Sequence, residues 1–255
     1  MRARYSAQMA IFDRAPKDWR DLQDLTGQLF TEMGCQVEVS KTVKLVRGQK
    51  EIDVWVQDPS TAPATRYLTE CKFWEARVDQ EVVHSFRTVV ADYGAHRGFI
   101  VSKVGFQSGA RVAAQDTNID LLTFEELQQV FEQRWRETML RALKPLSDIL
   151  FPFWDPTGGV APRGTWGPRE LAAHRLVTEA CQPYVNLDLA PNSGNQVRLP
   201  MSVPIIGPGF TKTGELVIRT YREFFDYIVV EHRGLQQMFA RLHGLEIEAS
   251  PTHTR

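Results

Sequence analysis

The sequence predicts an α/β fold: a mixed β-sheet flanked by helices, continued by a C-terminal α+β extension of unknown type. Three observations carry this expectation. Apolar residues recur at helical spacing in Leu22–Met33 and in Val78–Tyr93, apolar runs of strand length separate these stretches, and their order is helix, hairpin, then alternating helix and strand. A hairpin followed by β-α-β-α yields a sheet with both antiparallel and parallel neighbours.

Residues 1–15 are mixed in character. Trp19–Met33 places Leu22, Leu25, Leu29, Phe30 and Met33 on one helical face, and Gly34 follows as a stop. Val37-Glu38-Val39 and Val43–Val46 read as one strand or two short ones, and Gly48-Gln49-Lys50 as a turn. In the next strand Ile52, Val54 and Val56 share one face, and Asp53 and Trp55 the other. Asp58–Pro63 is a loop by composition, so Ile52–Phe73 reads as a hairpin with a long connection. Val78, Val82, Val83, Phe86, Val89, Val90 and Tyr93 form a helical stripe, followed by a strand at Gly98–Ser102, a short helix at Ser108–Gln115 and a strand at Ile119–Thr123. Thr123 and Glu126 have the spacing of a capping box, opening a helix that runs from Phe124 past Trp135 toward Leu143.

The composition changes near Pro145. Phe151–Pro168 holds four prolines, four glycines, Trp154 and Trp166, a loop-rich boundary with aromatic residues that suggest packing. Beyond it lie a helix at Pro168–Cys181, strand-like stretches at Gln196–Leu199 and Glu215–Thr220, and an apolar stretch at Tyr221–Leu242. The expected division is a first domain over 1–145 and an extension or second domain over 146–255.

Composition narrows the function. Of 255 residues, 43% are hydrophobic and 24% charged, which excludes wholesale disorder. Lys plus Arg is 30 and Asp plus Glu 31, so any nucleic acid must be met by a local basic patch and not by bulk charge. Cys35, Cys71 and Cys181 are widely spaced and suggest neither a disulfide framework nor a zinc knuckle. Met9–Phe12 is too short for a signal-peptide core, and no apolar run reaches a membrane span, so the expectation is a soluble, cytoplasmic protein without a membrane partner.

Glu70 and Lys72 lie two residues apart on the second hairpin strand and so point to one face. A hairpin symmetric about Ala62 sets Asp53 across from Cys71, between them. Two carboxylates and an ammonium then converge, a set suited to phosphodiester hydrolysis. Asp53, Glu70 and the backbone carbonyl of Cys71 are candidate ligands for Mg²⁺, and Lys72 a candidate to orient water or stabilise the developing anion. The Cys71 thiol reads as a small core hydrophobe.

Asp53 and, after sixteen residues, Glu70-x-Lys72 resemble the PD-(D/E)xK nuclease signature. Gly48-Gln49-Lys50-Glu51-Ile52-Asp53 resembles the G-x-x-E-I-D strand start of many members. Leu68-Thr69-Glu70-Cys71-Lys72-Phe73 is similar to the (E/Q)-C-K-aromatic strand of Mrr-like restriction endonucleases. Gly98–Ala110 resembles that family's strand, serine and short helix beginning F-x-x-x-A. The resemblance covers Asp18–Phe131. It implies a restriction-endonuclease-like fold and Mg²⁺-dependent endonuclease action on DNA, with Mn²⁺ able to substitute, in restriction or anti-phage defence. Two departures stand out. The place of a frequent first-helix Glu is held by Gln23, a candidate to orient water or ligand without adding a third charge, and the Pro before the signature Asp is replaced by Ile52.

Phosphate contacts are expected from Lys41, Lys44, Arg47 and Lys50, four cations without an acid in residues 41–50. His84 and Gln80, on the helix after the active strand, are candidates to face the scissile phosphate. Plainer readings accompany each assignment. Asp53, Glu70 and Lys72 also suit a structural ion pair, the basic run a solvated strand edge, His84 a partly buried polar residue, and Trp154 and Trp166 packing as well as base stacking. The expected partners are DNA, a second copy if both strands are cut together, or a defence-system protein. The alternative is a catalytically inactive nuclease-fold module that binds nucleic acid or acts as a scaffold. A nucleotide-binding α/β protein is disfavoured, because both glycine-rich phosphate loops are missing.

Overall fold

A computed structural model describes residues 11–148, 167–168, 171–176, 178–180 and 199–243. They fall in two compact units, one within Met9–Thr138 and the other from Met139 onward.

In the first unit five strands form one sheet in the order β1 (Gln36–Leu45), β2 (Gly48–Asp58), β3 (Thr65–Lys72), β4 (Arg97–Ser102) and β5 (Ile119–Thr123). The pairs β1–β2 and β2–β3 are antiparallel, and β3–β4 and β4–β5 are parallel. The helices are α1 (Trp19–Glu32), α2 (Gln80–Tyr93), α3 (Ser108–Ala114) and α4 (Phe124–Asp148), of which the residues from Met139 on belong to the second unit. The mixed sheet flanked by helices is the fold the sequence predicts.

Each face of the sheet has its own core. On one, Val83, Phe86 and Val90 of α2 and Ala110 of α3 pack on Ile52, Trp55, Leu68 and Ile100. Gly98 lets α2 come this close: a Cβ there would stand 2.7 Å from both Val90 Cγ2 and Ile119 Cδ1. On the other, Phe30 of α1 and Phe131 of α4 meet at 5.2 Å between ring centroids and close on Tyr67 and Phe99 of the sheet. Gly27 of α1 lies over Val37, Val39 and Val54, with 2.9 Å left for a Cβ against Val39. Removing a side chain as large as fully buried Phe86 from such a core costs about 3–5 kcal/mol.

Local signals set the helix ends. Asp18 accepts from Asp21 N–H to cap α1, and Asp79 accepts from Glu81 and Val82 N–H to cap α2. The capping box forms as the spacing predicts. Thr123 N–H donates to Glu126 Oε2 at 2.8 Å, and Glu126 N–H to Thr123 Oγ1 at 3.1 Å. At the end of β2, Asp58 is 1% exposed. Burial alone would raise its carboxyl, but Arg134 and Ser60 hold it well below the usual range.

The structure differs from the sequence reading at four points. The hairpin after β1 turns at Val46-Arg47 with Leu45 opposite Gly48, so Gly48-Gln49-Lys50 belongs to β2. Val78 precedes its helix and bridges to Phe106. Ile52 packs with Trp55 and Leu68 while Val54 faces α1, so the alternation breaks at Asp53. Opposite that break, between the pairs Val39–Val54 and Lys41–Ile52, Ser40 is left-handed at φ 54°. Finally, the β2–β3 ladder is one residue out of step with a hairpin symmetric about Ala62, and it ends at Val54–Thr69, so Asp53 lies beyond its last pair.

In the second unit β6 (Met201–Gly207) and β7 (Thr211–Ile218) form an antiparallel hairpin, followed by α5 (Tyr221–His243). Thr220 and Glu223 cap α5 by exchanging hydrogen bonds at 3.2 Å each. Residues 171–176 and 178–180 are helical, and Ala173, Ala180, Ile206, Phe210 and Leu235 share a core. The expected strand at Gln196–Leu199 falls largely outside the described residues, as do Phe151, Phe153, Trp154 and Trp166; the first strand described here begins at Met201. No helix among the described residues is long and apolar enough to cross a membrane.

Candidate active site

Asp53, Glu70 and Lys72 meet where β2 and β3 stop pairing. The last pair of the β2–β3 ladder is Val54–Thr69, which leaves the backbone of Cys71 facing a gap. The Asp53 carboxylate fills part of it, with Oδ2 accepting the Cys71 N–H at 2.6 Å. An extended residue presents its N–H and C=O to the same side, so the Cys71 carbonyl faces Asp53 as well. Lys72 turns the other way, and its carbonyl accepts from Lys103 N–H at 3.0 Å.

Glu70 and Lys72 lie on the α2 side of the sheet, since Glu70 pairs with Ile100 of that core. Lys72 Nζ donates to Glu70 Oε1 at 2.5 Å. Glu70 Oε2 is buried without a hydrogen-bond partner, and Lys50 Nζ stands 3.6 Å from it, within Coulombic reach but beyond a hydrogen bond. A hollow of about 270 Å³ opens over these groups, lined by Lys50, Glu70 and Lys72 from the sheet and Glu81, Val82, Ser85 and Phe86 from α2.

Burial pushes the Asp53 carboxyl above its ordinary range. The Cys71 N–H pulls it down, the Glu70 charge pushes it up again, and Lys72 and Lys50 offset part of that. Burial first, then the Asp53 charge, raise the Cys71 thiol well above its usual value, which leaves it a protonated core group and no nucleophile.

These residues fit a hard divalent cation. One buried carboxylate oxygen is orphaned, burial and the Glu70 charge disfavour ionisation of the neighbouring Asp53 carboxyl, and a backbone carbonyl faces Asp53. Among the described residues no three His, Cys, Asp or Glu side chains converge on one point. Two carboxylates, a carbonyl and several waters are a set that Mg²⁺ accepts.

The other sequence candidates are placed unevenly. Gln23 is buried on α1, on the side of the sheet that carries the Cys71 side chain, and does not line the hollow over Glu70. Lys41 lies 3.4 Å above the Trp55 ring and pairs with Glu38 at 2.6 Å. Arg47 forms a two-pronged pair with Asp92 at 3.1 Å, and Lys44 is exposed on β1. Of the basic run only Lys50 reaches the carboxylates. His84 is exposed and lines a separate hollow with Arg47 and Arg87, so it does not face the scissile position expected for it. Gln80 lies against Gly109 of α3. The helical phase is the reason: α2 turns Glu81 and Ser85, four residues apart, toward Glu70, and His84 falls on the neighbouring stripe. Sequence reasoning missed Glu81 and Ser85, although the Asp79 cap fixes the phase that exposes them.

Comparison with known proteins places part of the chain in a family. Residues 16–131 match the family Mrr_cat, described as restriction endonuclease. No curated protein matches the chain. A solved structure described as a protein of unknown function, AF1548, is 21% identical over 50% of this chain and 74% of its own, with a TM-score of 0.38. Through residues 16–131 the chain carries a restriction-endonuclease domain of the Mrr-like, PD-(D/E)xK kind.

Proposed function

We propose that this domain is a metal-dependent endonuclease that hydrolyses DNA phosphodiester bonds in restriction or anti-phage defence. The observation that carries the reading is the Glu70 carboxylate, held by Lys72 on one oxygen and left unbonded on the other, beside a second carboxylate at Asp53. Asp53, Glu70 and the Cys71 carbonyl would hold Mg²⁺, or Mn²⁺ in its place. When bound, the cation lowers the pKa of a coordinated water and offsets charge on the reacting phosphate.

The chain's own residues do the rest. Lys72, fixed by Glu70, presents an ammonium that orients the attacking water and stabilises the anion that forms. Lys50 adds positive charge in the same hollow and holds a phosphate oxygen, and exposed Lys44 extends the grip along the backbone without reading sequence. Gln23 supports the site from the α1 side by orienting water or ligand. Catalysis belongs to the first unit; the second recognises a target, a partner or another copy. A dimer places two such sites on the two strands of a duplex.

The test is cleavage by purified protein of plasmid, single-stranded DNA and RNA, each with Mg²⁺, Mn²⁺ or EDTA. The expected result is nicking of DNA that requires a divalent cation. Absence of cleavage under all conditions, or cleavage that survives EDTA, contradicts the reading and favours a binding or scaffold role.

A further inference from the structure

We propose that Trp74 is a stacking platform for a nucleobase next to the scissile phosphate, and hence that the site takes a strand with an unstacked base at the cut. The proposal rests on the nuclease reading above and names the substrate form that reading leaves open.

Trp74 follows directly on the Glu70–Lys72 strand, two residues past the lysine, where β3 has ended and the chain crosses to α2. Its side chain is turned outward at 44% exposure, although an indole is among the most favourable groups to bury. The other exposed large hydrophobics described are aliphatic, apart from Trp19, which lies at the start of α1 under Arg20. Trp74 instead lies under the active-site cation: Lys72 Nζ stands 5.1 Å from its ring centroid. The preceding residue repeats the pairing, with Lys103 Nζ 4.5 Å from the Phe73 ring. Lys103 in turn pairs with Glu75, so the segment leaving β3 is tied back to the end of β4.

The exit from the site is therefore an aromatic surface interleaved with ammonium groups, the pattern by which proteins hold single strands: cations on phosphates, rings on bases. A phosphate at Lys72 carries its nucleoside within reach of the Trp74 ring. A base inside a duplex already has neighbours on both faces, so the indole can stack only on one at an end, a gap, a single strand or a base turned out of the helix. The nearby hollow lined by Phe12, Phe73, Phe124 and Gln128 offers less, because Gln128 Oε1 already accepts from Phe12 N–H and its amide donates to Phe124 O.

The experiment separates bases from phosphates. Binding of the full chain to a twelve-nucleotide thymidine strand and to a twelve-unit abasic strand of equal charge is followed by fluorescence anisotropy in EDTA, for wild type, Trp74→Ala and Trp74→Phe. Wild type should prefer the thymidine strand. Trp74→Ala should lose about 5- to 150-fold on that strand and nothing on the abasic one, and Trp74→Phe should retain most of the affinity. An equal loss on both strands overturns the proposal, since Trp74 then acts through Lys72 alone; so does no loss on either. Circular dichroism checks that the variants are folded. If the base-dependent loss is seen but wild type cleaves no nucleic acid with any metal, the nuclease reading fails and the platform stands. If wild type cleaves and the loss is absent, the platform alone fails.

Discussion

Replacing Asp53 by Asn should make the protein more stable and inactive at once. The change keeps the shape of the side chain and an oxygen to accept the Cys71 N–H, now bonded at 2.6 Å, and removes only the charge. That charge is unfavourable in the folded chain, because burial and then Glu70 raise the carboxyl above its ordinary range despite the Cys71 hydrogen bond. For an acid with a raised folded pKa, stability is complete below the unfolded value of 3.8 and is lost as pH rises through the folded value. Asn behaves as the neutral form at every pH, so the variant should gain at pH 7 and converge on wild type as the pH falls toward 4. Relieving a strained active site of this kind is worth about 0.5–2 kcal/mol, which for a domain of this size is roughly 2–8 °C in Tm. The assay is thermal unfolding by circular dichroism in EDTA from pH 4 to 8, with Mg²⁺-supported cleavage measured in parallel. A lower Tm for the variant at pH 7 in EDTA, or cleavage at the wild-type rate, refutes the reasoning.

Other predictions follow from the same geometry. Lys50→Met should weaken DNA binding and reduce the slope of log affinity against log salt by about 0.9, the effect of one lost phosphate contact. Arg134→Ala should cost about 3–5 kcal/mol at pH 7 by leaving the buried Asp58 carboxylate unpaired. Because Asp58 is held below its ordinary range, its contribution is present above pH 3.8 and is lost as pH falls through the folded value, so the gap between variant and wild type should narrow in acid; thermal melts against pH check this. Thr123→Ala should cost about 1 kcal/mol by opening the α4 capping box, as measured by urea unfolding.

What the sequence makes legible follows from the range of the interactions involved. The capping box at Thr123 and Glu126, the sheet of hairpin and β-α-β, and the face shared by Glu70 and Lys72 depend on neighbours or on strand period, and all are visible in the chain. The β2–β3 register depends on a connection between Asp58 and Thr65 that is not symmetric about Ala62, and the ladder ends before Asp53, whose carboxylate reaches the Cys71 N–H. The break in alternation at Asp53 lies opposite Ser40, thirteen positions away and left-handed, and no local pattern announces it. Lys41 and Arg47 look like part of one basic patch, but Trp55 and Asp92 engage them from elsewhere in the fold. His84 lines a hollow apart from Glu70, because α2 turns the neighbouring stripe of Glu81 and Ser85 toward that carboxylate.

The central claim concerns the lysine that Glu70 holds. Single-turnover cleavage of plasmid DNA in Mg²⁺ by wild type and by Lys72→Ala tests it most directly. The account predicts that the variant folds and still binds DNA but cuts at least a hundredfold more slowly, the size of effect expected when one donor to the developing charge is removed. Equal rates for the two proteins would contradict it.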